Sequence, residues 1–163
     1  LPTEAEWAWV ARFSGGLTGD RRFAWGATMP PPENAGNFAD ASATEYFPNA
    51  LLGYLDGAPL TARVASFEPN PLGLFDLGGN VAEWTNDYYS SAAGTEVLID
   101  PVGPASGPGR VIRGSSWRES SLSDLRLVAR DFGTDGQVDV GFRLARYAPQ
   151  IEVTESDEQP DAN

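Results

Sequence analysis

The density of glycine and proline is the feature of this sequence that most limits its fold. The chain has 18 Gly and 13 Pro among 163 residues. Both residue types favour turns and interrupt helices and strands, so we expect many loops and only short regular elements. Hydrophobic residues still make up 41% of the chain, enough to build a core. The sequence predicts one globular domain over residues 1–147 and a flexible acidic tail over residues 148–163.

The clearest helix signal lies at the N-terminus. Thr3 is a good N-cap residue, and Glu6 three positions later completes a capping box. Trp7, Val10 and Ala11 then fall on one face of the helix, and the glycines at positions 15 and 16 are expected to end it.

The other regular elements are expected to be short. Residues 40–45 form a second, weaker helical candidate. Residues 111–113 and 141–145 are predicted to form short strands. Residues 125–130 fit either a strand or a turn of helix.

The charge of the chain excludes several classes of partner. The formal net charge is −12, and all 11 basic residues are Arg. Binding to nucleic acid or to an anionic membrane surface requires clustered cations, so we expect neither. No apolar run approaches the roughly 20 residues that a membrane-spanning helix needs.

The chain contains no Cys and no His. Thiolate nucleophiles, disulfides, zinc fingers, Ser-His-Asp triads and histidine-bound iron are therefore excluded within these residues. The metal chemistry left to the chain uses oxygen ligands, which suit calcium.

Four ordered motifs resemble those of one protein family. They are LPTEAEW at residues 1–7, FEPNPLGLFDLGGNVAEW at 67–84, RVIRGSSW at 110–117 and GFRLA at 141–145. Together they resemble the formylglycine-generating enzyme, or sulfatase-modifying factor, family, which includes many bacterial proteins. The resemblance implies an α+β fold that is a variant of the C-type lectin fold, with little regular secondary structure. Trp84 and Trp117 lie inside these motifs and are expected in the core.

The resemblance also predicts that part of the domain lies outside this sequence. Family domains begin well before the LPTEAEW motif, with strands and a first helix. We therefore expect another chain, or an upstream segment, to pack on the helix that starts at Thr3.

One calcium site is expected around the glycine turn of the second motif. Asp76 and Glu83 are two carboxylates seven residues apart on either side of that turn. Spacing alone favours acids that cap turns, because this is not an EF-hand loop. The family resemblance implies calcium held by the Asp76 and Glu83 side chains and by the carbonyls of Gly79 and Val81.

The resemblance implies a second calcium site. Its ligands are the side chains of Asn37 and Asp56 with the carbonyls of Phe38 and Ala58. Spacing alone favours turn capping here too, and with the family resemblance turn capping and metal binding are equally favoured. Either calcium ion would be structural, since it would tie together loops that no strand ladder holds.

The copper chemistry of the family enzyme is absent. That enzyme binds copper through two cysteines just after its GGS(Y/W) motif, and those positions fall here on Glu119 and near Asp124. Carboxylates cannot replace soft thiolates for Cu(I), so we expect no copper. The two acids could form a pair for acid–base catalysis, but acids exposed on a loop are the favoured interpretation.

Five of the arginines in the C-terminal third of the chain form a candidate cluster. They could bind an anionic ligand, although with 23 acidic residues in the chain we favour ion pairs that hold loops together. They are Arg113, Arg118, Arg126, Arg130 and Arg143.

We favour a calcium-stabilised, catalytically degenerate domain with a binding or scaffolding role, in a bacterial protein and outside the cytoplasm. The alternative is a non-heme metal oxidoreductase of the same superfamily whose active residues lie upstream. A third interpretation is a domain that displays variable ligand-binding loops. Residues 118–139 lack the Asn- and Tyr-rich composition expected for that role.

Overall fold

A computed structural model describes residues 1–15, 21–91 and 97–147 of the chain. Loops account for most of these residues. The tail expected over residues 148–163 lies outside the described part. The regular elements are helix α1 (Glu4–Arg12) and strands β1 (Ala82–Tyr88), β2 (Arg110–Arg113), β3 (Arg130–Gly133) and β4 (Val140–Phe142).

Helix α1 forms as the sequence predicts. The Glu6 N–H donates to the Thr3 hydroxyl at 3.2 Å, and the Thr3 N–H donates to the Glu6 carboxylate at 2.7 Å, which completes the capping box. Trp7 and Ala11 are buried on the inner face. The helix ends at Arg12, and Gly15 has a φ of 85°, in the left-handed region that glycine adopts readily.

The four strands form one mixed sheet in the order β3-β2-β1-β4. Strand β1 pairs antiparallel with β2 and parallel with β4, and β2 pairs antiparallel with β3. The strand predicted at residues 111–113 is confirmed within β2. The strand predicted at 141–145 stops at Phe142, and residues 125–129 form turns that lead into β3.

Strand β1, the longest of the sheet, was not predicted, because polar residues occupy the face that a typical strand fills with apolar ones. Its buried residues are Ala82 and the polar residues Glu83, Thr85 and Asp87, whereas Trp84 and Tyr88 are only half-buried. A strand with polar residues on its buried face does not give the apolar alternation by which strands are recognised.

The core consists of two small clusters. One contains Trp7, Ala11, Leu77 and Leu127. The other contains Phe23, Phe38, Tyr54 and Leu125. The expectation of Trp84 and Trp117 in the core is wrong, since both are only half-buried.

The remaining sequence predictions concern a second helix and membrane-spanning segments. The weak helical candidate at residues 40–45 is a single 3-10 turn, Ala41–Ala43, capped by the Asp40 carboxylate, which accepts from the Ser42 N–H at 2.8 Å. The described residues include no helix that is long and apolar enough to cross a bilayer.

Candidate functional site

The four residues expected at the second calcium site come together in one corner of the fold. Asn37 is fully buried, and its side-chain nitrogen donates to the Leu60 carbonyl at 2.6 Å. Its side-chain oxygen, Oδ1, is buried and has no hydrogen-bond partner in the described part of the chain. Buried oxygens are normally satisfied, and an amide oxygen is one of the groups that could hold a calcium ion.

Asp56 completes this corner. One of its carboxylate oxygens accepts from the Phe38 N–H at 2.9 Å, and the other accepts from the Ala58 N–H at 2.7 Å. The Asp56 N–H in turn donates to the Asp40 carboxylate. Burial, with a further contribution from nearby Asp40, raises the pKa of Asp56 to about 6. Asp56 is therefore a poorly solvated carboxylate that bonds to the residue next to Asn37.

The glycine turn of the second motif packs directly on this corner. Gly79 has a φ of 87°, and a Cβ there would lie 2.6 Å from the Asn37 carbonyl oxygen. The Asn80 N–H donates to the same carbonyl at 2.8 Å. The segments that carry the two expected calcium sites are therefore neighbours in the fold.

At the other expected site, the Glu83 carboxylate already has partners. It accepts from the Trp7 indole N–H at 2.7 Å and from Arg143 Nε at 2.6 Å, and Arg143 Nη2 contacts its second oxygen. The same Nη2 lies 3.4 Å from the Asp76 carbonyl oxygen. A guanidinium group thus supplies positive charge beside Glu83, a contact that sequence reasoning did not identify.

The Asp76 side chain turns toward the protein as well. One oxygen accepts from the Ala65 N–H at 2.9 Å, whereas the other is buried and has no hydrogen-bond partner among the residues that the structure describes. Asp76 has a φ of 56°, an unfavourable conformation for a residue other than glycine. The described residues contain no group of three or more acidic side chains that could hold a metal ion. A calcium ion would therefore depend on amide and carbonyl oxygens at either site.

Glu119 and Asp124 have different surroundings. The Glu119 carboxylate is largely buried and accepts from the Ser116 N–H at 2.8 Å. Burial, reinforced by Asp124 and other nearby acids, raises the pKa of Glu119 to about 7. Asp124 is exposed and accepts from the Ser121 hydroxyl. The interpretation as exposed loop acids therefore fits Asp124 and not Glu119.

Ion pairing of the C-terminal arginines is confirmed for four of the five. Arg113 and Arg130 pair with Glu4, Arg118 pairs with Asp139, and Arg143 pairs with Glu83. Arg126 has no ion pair or side-chain hydrogen bond within the described ranges.

Comparison with known proteins places these features in a family. The sulfatase-modifying factor enzyme 1-like domain matches residues 1–148. The formylglycine-generating enzyme of Streptomyces coelicolor is 39% identical over 153 residues, which cover 91% of this chain and 46% of that enzyme. The inactive C-alpha-formylglycine-generating enzyme 2 of Mus musculus is 34% identical, over 91% of this chain and 43% of that protein.

A solved structure shares the fold. Treponema denticola variable protein 1 superposes with a TM-score of 0.68 at 33% identity, over 87% of this chain and 45% of that one. The chain spans less than half the length of each of these three relatives.

Proposed function

Because the chain belongs to the sulfatase-modifying factor family, we propose that it is a catalytically degenerate member of that family with a binding or scaffolding role. The observation that carries this proposal is that Glu119 has a structural role in its loop. By the family resemblance, Glu119 stands where the first copper-binding cysteine of the enzyme lies. Its carboxylate binds the Ser116 N–H and helps to hold the backbone of the loop.

Several features support the loss of copper chemistry. Cu(I) prefers soft sulfur ligands, and the chain contains no cysteine to supply one. Asp124 stands near the second cysteine position, and its carboxylate bonds with the neighbouring Ser121 and Ser123 hydroxyls. The mouse relative named as inactive shows that the family includes members without the enzyme activity.

Copper binding and peptide oxidation test this proposal together. We expect the purified chain to retain no Cu(I) against a colorimetric chelator. We also expect it to leave a cysteine-containing sulfatase peptide unoxidised in the presence of oxygen. The Streptomyces coelicolor enzyme serves as the positive control in both assays. Retention of copper by this chain, or oxidation of the peptide above the level in buffer, would contradict the proposal.

We also propose that calcium stabilises the domain. Both places offer a buried oxygen that lacks a hydrogen-bond partner among the described residues, Asn37 Oδ1 and Asp76 Oδ1. The Asn37–Asp56 corner supports this better than the turn, because Asp56 has no ion pair within the described ranges, whereas Glu83 is paired with Arg143. There the side chains of Asn37 and Asp56 would hold the ion with the carbonyls of Phe38 and Ala58. At the turn, the ligands would be Asp76, Gly79, Val81 and Glu83.

An extracytoplasmic location is part of the same proposal. Extracellular modules bind calcium with dissociation constants of roughly 0.1 to 1 mM, which suits the concentration there. The fold is proposed, as for the family, to be a variant of the C-type lectin fold, in which such an ion would hold loops together.

The outer face of helix α1 is proposed to bind the polypeptide that, in the longer relatives, lies outside the matched region. Trp9 is 59% exposed on this face, although large aromatic side chains are usually well buried. A groove of about 700 Å³ runs between the helix and residues 100–102 and 145–147, and it includes Val102 and Tyr147. The relatives carry more than half their length outside the match, which gives this apolar groove an occupant.

Single-cysteine labelling tests this docking surface, since the native chain has no cysteine. We expect Trp9→Cys and the control Leu52→Cys, at a residue 76% exposed and outside the groove, to react equally fast with a maleimide in this chain. In the full-length gene product, we expect reaction at position 9 to slow at least about tenfold and that at position 52 to stay fast. Equal rates at position 9 in both proteins would show that nothing covers the groove.

A further inference from the structure

A cleft beside the 119–126 loop is lined by arginines, although the chain as a whole is strongly acidic. It has a volume of about 460 Å³ and lies between residues 22–29 and 122–126. Among the described residues, two arginines line it and no acidic residue does, in a chain with 23 acids and 11 basic residues. Its lining includes Arg22, Arg126, Phe23, Met29 and Leu122.

The backbone holds the two arginines beside each other. Arg126 lies between Leu125 and Leu127, which are both buried in the core, so its own side chain extends outward. The Leu127 N–H donates to the Arg22 carbonyl at 2.7 Å and joins the two segments. Phe23, next to Arg22, is also buried. A ligand that binds both arginines would therefore require little ordering of the backbone.

Arg126 differs from the other four arginines of the set singled out in the sequence. Arg113, Arg118, Arg130 and Arg143 are used in ion pairs within the fold. The Arg126 guanidinium has no such partner in the described part of the chain and is exposed. It is therefore available to bind an anion with the fork geometry that suits a carboxylate.

Apart from Thr28, the rest of the cleft lining is apolar. Phe23 and Met29 form one side, and Leu122, 59% exposed, forms the other. The volume lies within the range of about 300–1,000 Å³ that is typical of small-molecule sites. Leu122 lies between Glu119 and Asp124, so the loop that carries the copper cysteines in the family enzyme becomes one wall of this cleft.

We propose that this cleft binds a small carboxylate with an apolar body. The carboxylate contacts Arg126 and Arg22, and the apolar part packs against Met29 and Leu122. This inference deepens the proposed binding role by giving it a ligand class.

Phenylacetate and its neutral amide are suitable probes. We expect phenylacetate to bind, as measured by ligand-observed NMR titration, and phenylacetamide to bind at least about tenfold more weakly. Arg126→Gln should weaken phenylacetate binding about tenfold. The control Arg63→Gln, which removes the same charge from an exposed position outside the cleft, should leave binding unchanged.

Three outcomes would overturn the inference. They are the absence of phenylacetate binding, equal affinity for the acid and the amide, and equal losses in the Arg126 and Arg63 variants. Acetate as tight as phenylacetate would show that the apolar wall does not take part and would also contradict the inference. None of these results changes the expected absence of copper binding, so the two proposals fail separately.

Discussion

Replacing Arg143 with methionine should lower the free energy of unfolding by about 3 kcal/mol. The Glu83 side chain that Arg143 contacts is only 7% exposed, so the substitution leaves a buried carboxylate with the Trp7 indole as its remaining side-chain donor. An unpaired buried charge is far more costly than the loss of a surface ion pair. Urea unfolding monitored by tryptophan fluorescence measures the change.

A second substitution separates the effect of the unpaired Glu83 charge from the effect of the lost Arg143 packing. In the Arg143→Met background, Glu83→Gln removes the unpaired charge and keeps an oxygen for the Trp7 indole, so it should restore about 1–2 kcal/mol. The control Arg118→Met breaks a 3.6 Å contact to Asp139 from a side chain that is 48% exposed, and should cost no more than about 0.5 kcal/mol. Equal losses for Arg143→Met and Arg118→Met would mean that the Glu83 pair does not support the fold.

Local signals in the sequence predicted the parts of the fold that depend on neighbouring residues. The Thr3–Glu6 capping box needs contacts only three residues apart, and it forms. Strand β1 is held instead by residues far along the chain. Its Thr85 hydroxyl donates to the Val111 carbonyl, and its Asp87 carboxylate accepts from the Glu4 N–H. Such distant partners allow polar residues to be buried, and no local pattern reports them.

The candidate site was likewise predicted only in part from the sequence. The family motifs identified the family and pointed to Asn37 and Asp56, which the fold brings to one corner. The partner of Glu83 was not predicted, because composition indicates that arginines pair with acids but not which pairs form. Arg143 lies 60 residues from Glu83 in sequence, and the sheet joins them by pairing β4 beside β1.

Calcium at one hundred times its dissociation constant should raise the melting temperature of the chain by roughly 5–10 °C. Ligand binding to the folded state at that concentration contributes about 2.7 kcal/mol, and a domain of this size gains roughly 2–4 °C per kcal/mol. The physical reason is the Asn37–Asp56 corner, where a cation would satisfy the Asn37 oxygen and neutralise a poorly solvated carboxylate. Differential scanning fluorimetry with calcium, then with excess EDTA, measures the shift and its reversal.

Two matched variants locate the ion. Asp56→Asn removes one charge from the corner but keeps an oxygen that can accept from the Phe38 N–H, so it should abolish most of the calcium-dependent shift with little loss of stability in EDTA. Glu83→Gln should leave most of the shift in place, because the Glu83 carboxylate is already bound by Arg143 and Trp7. The opposite result would place the ion at the Glu83 turn. A melting temperature that calcium and EDTA both leave unchanged would show that the loops hold together without metal, through the buried pairs and the two core clusters alone.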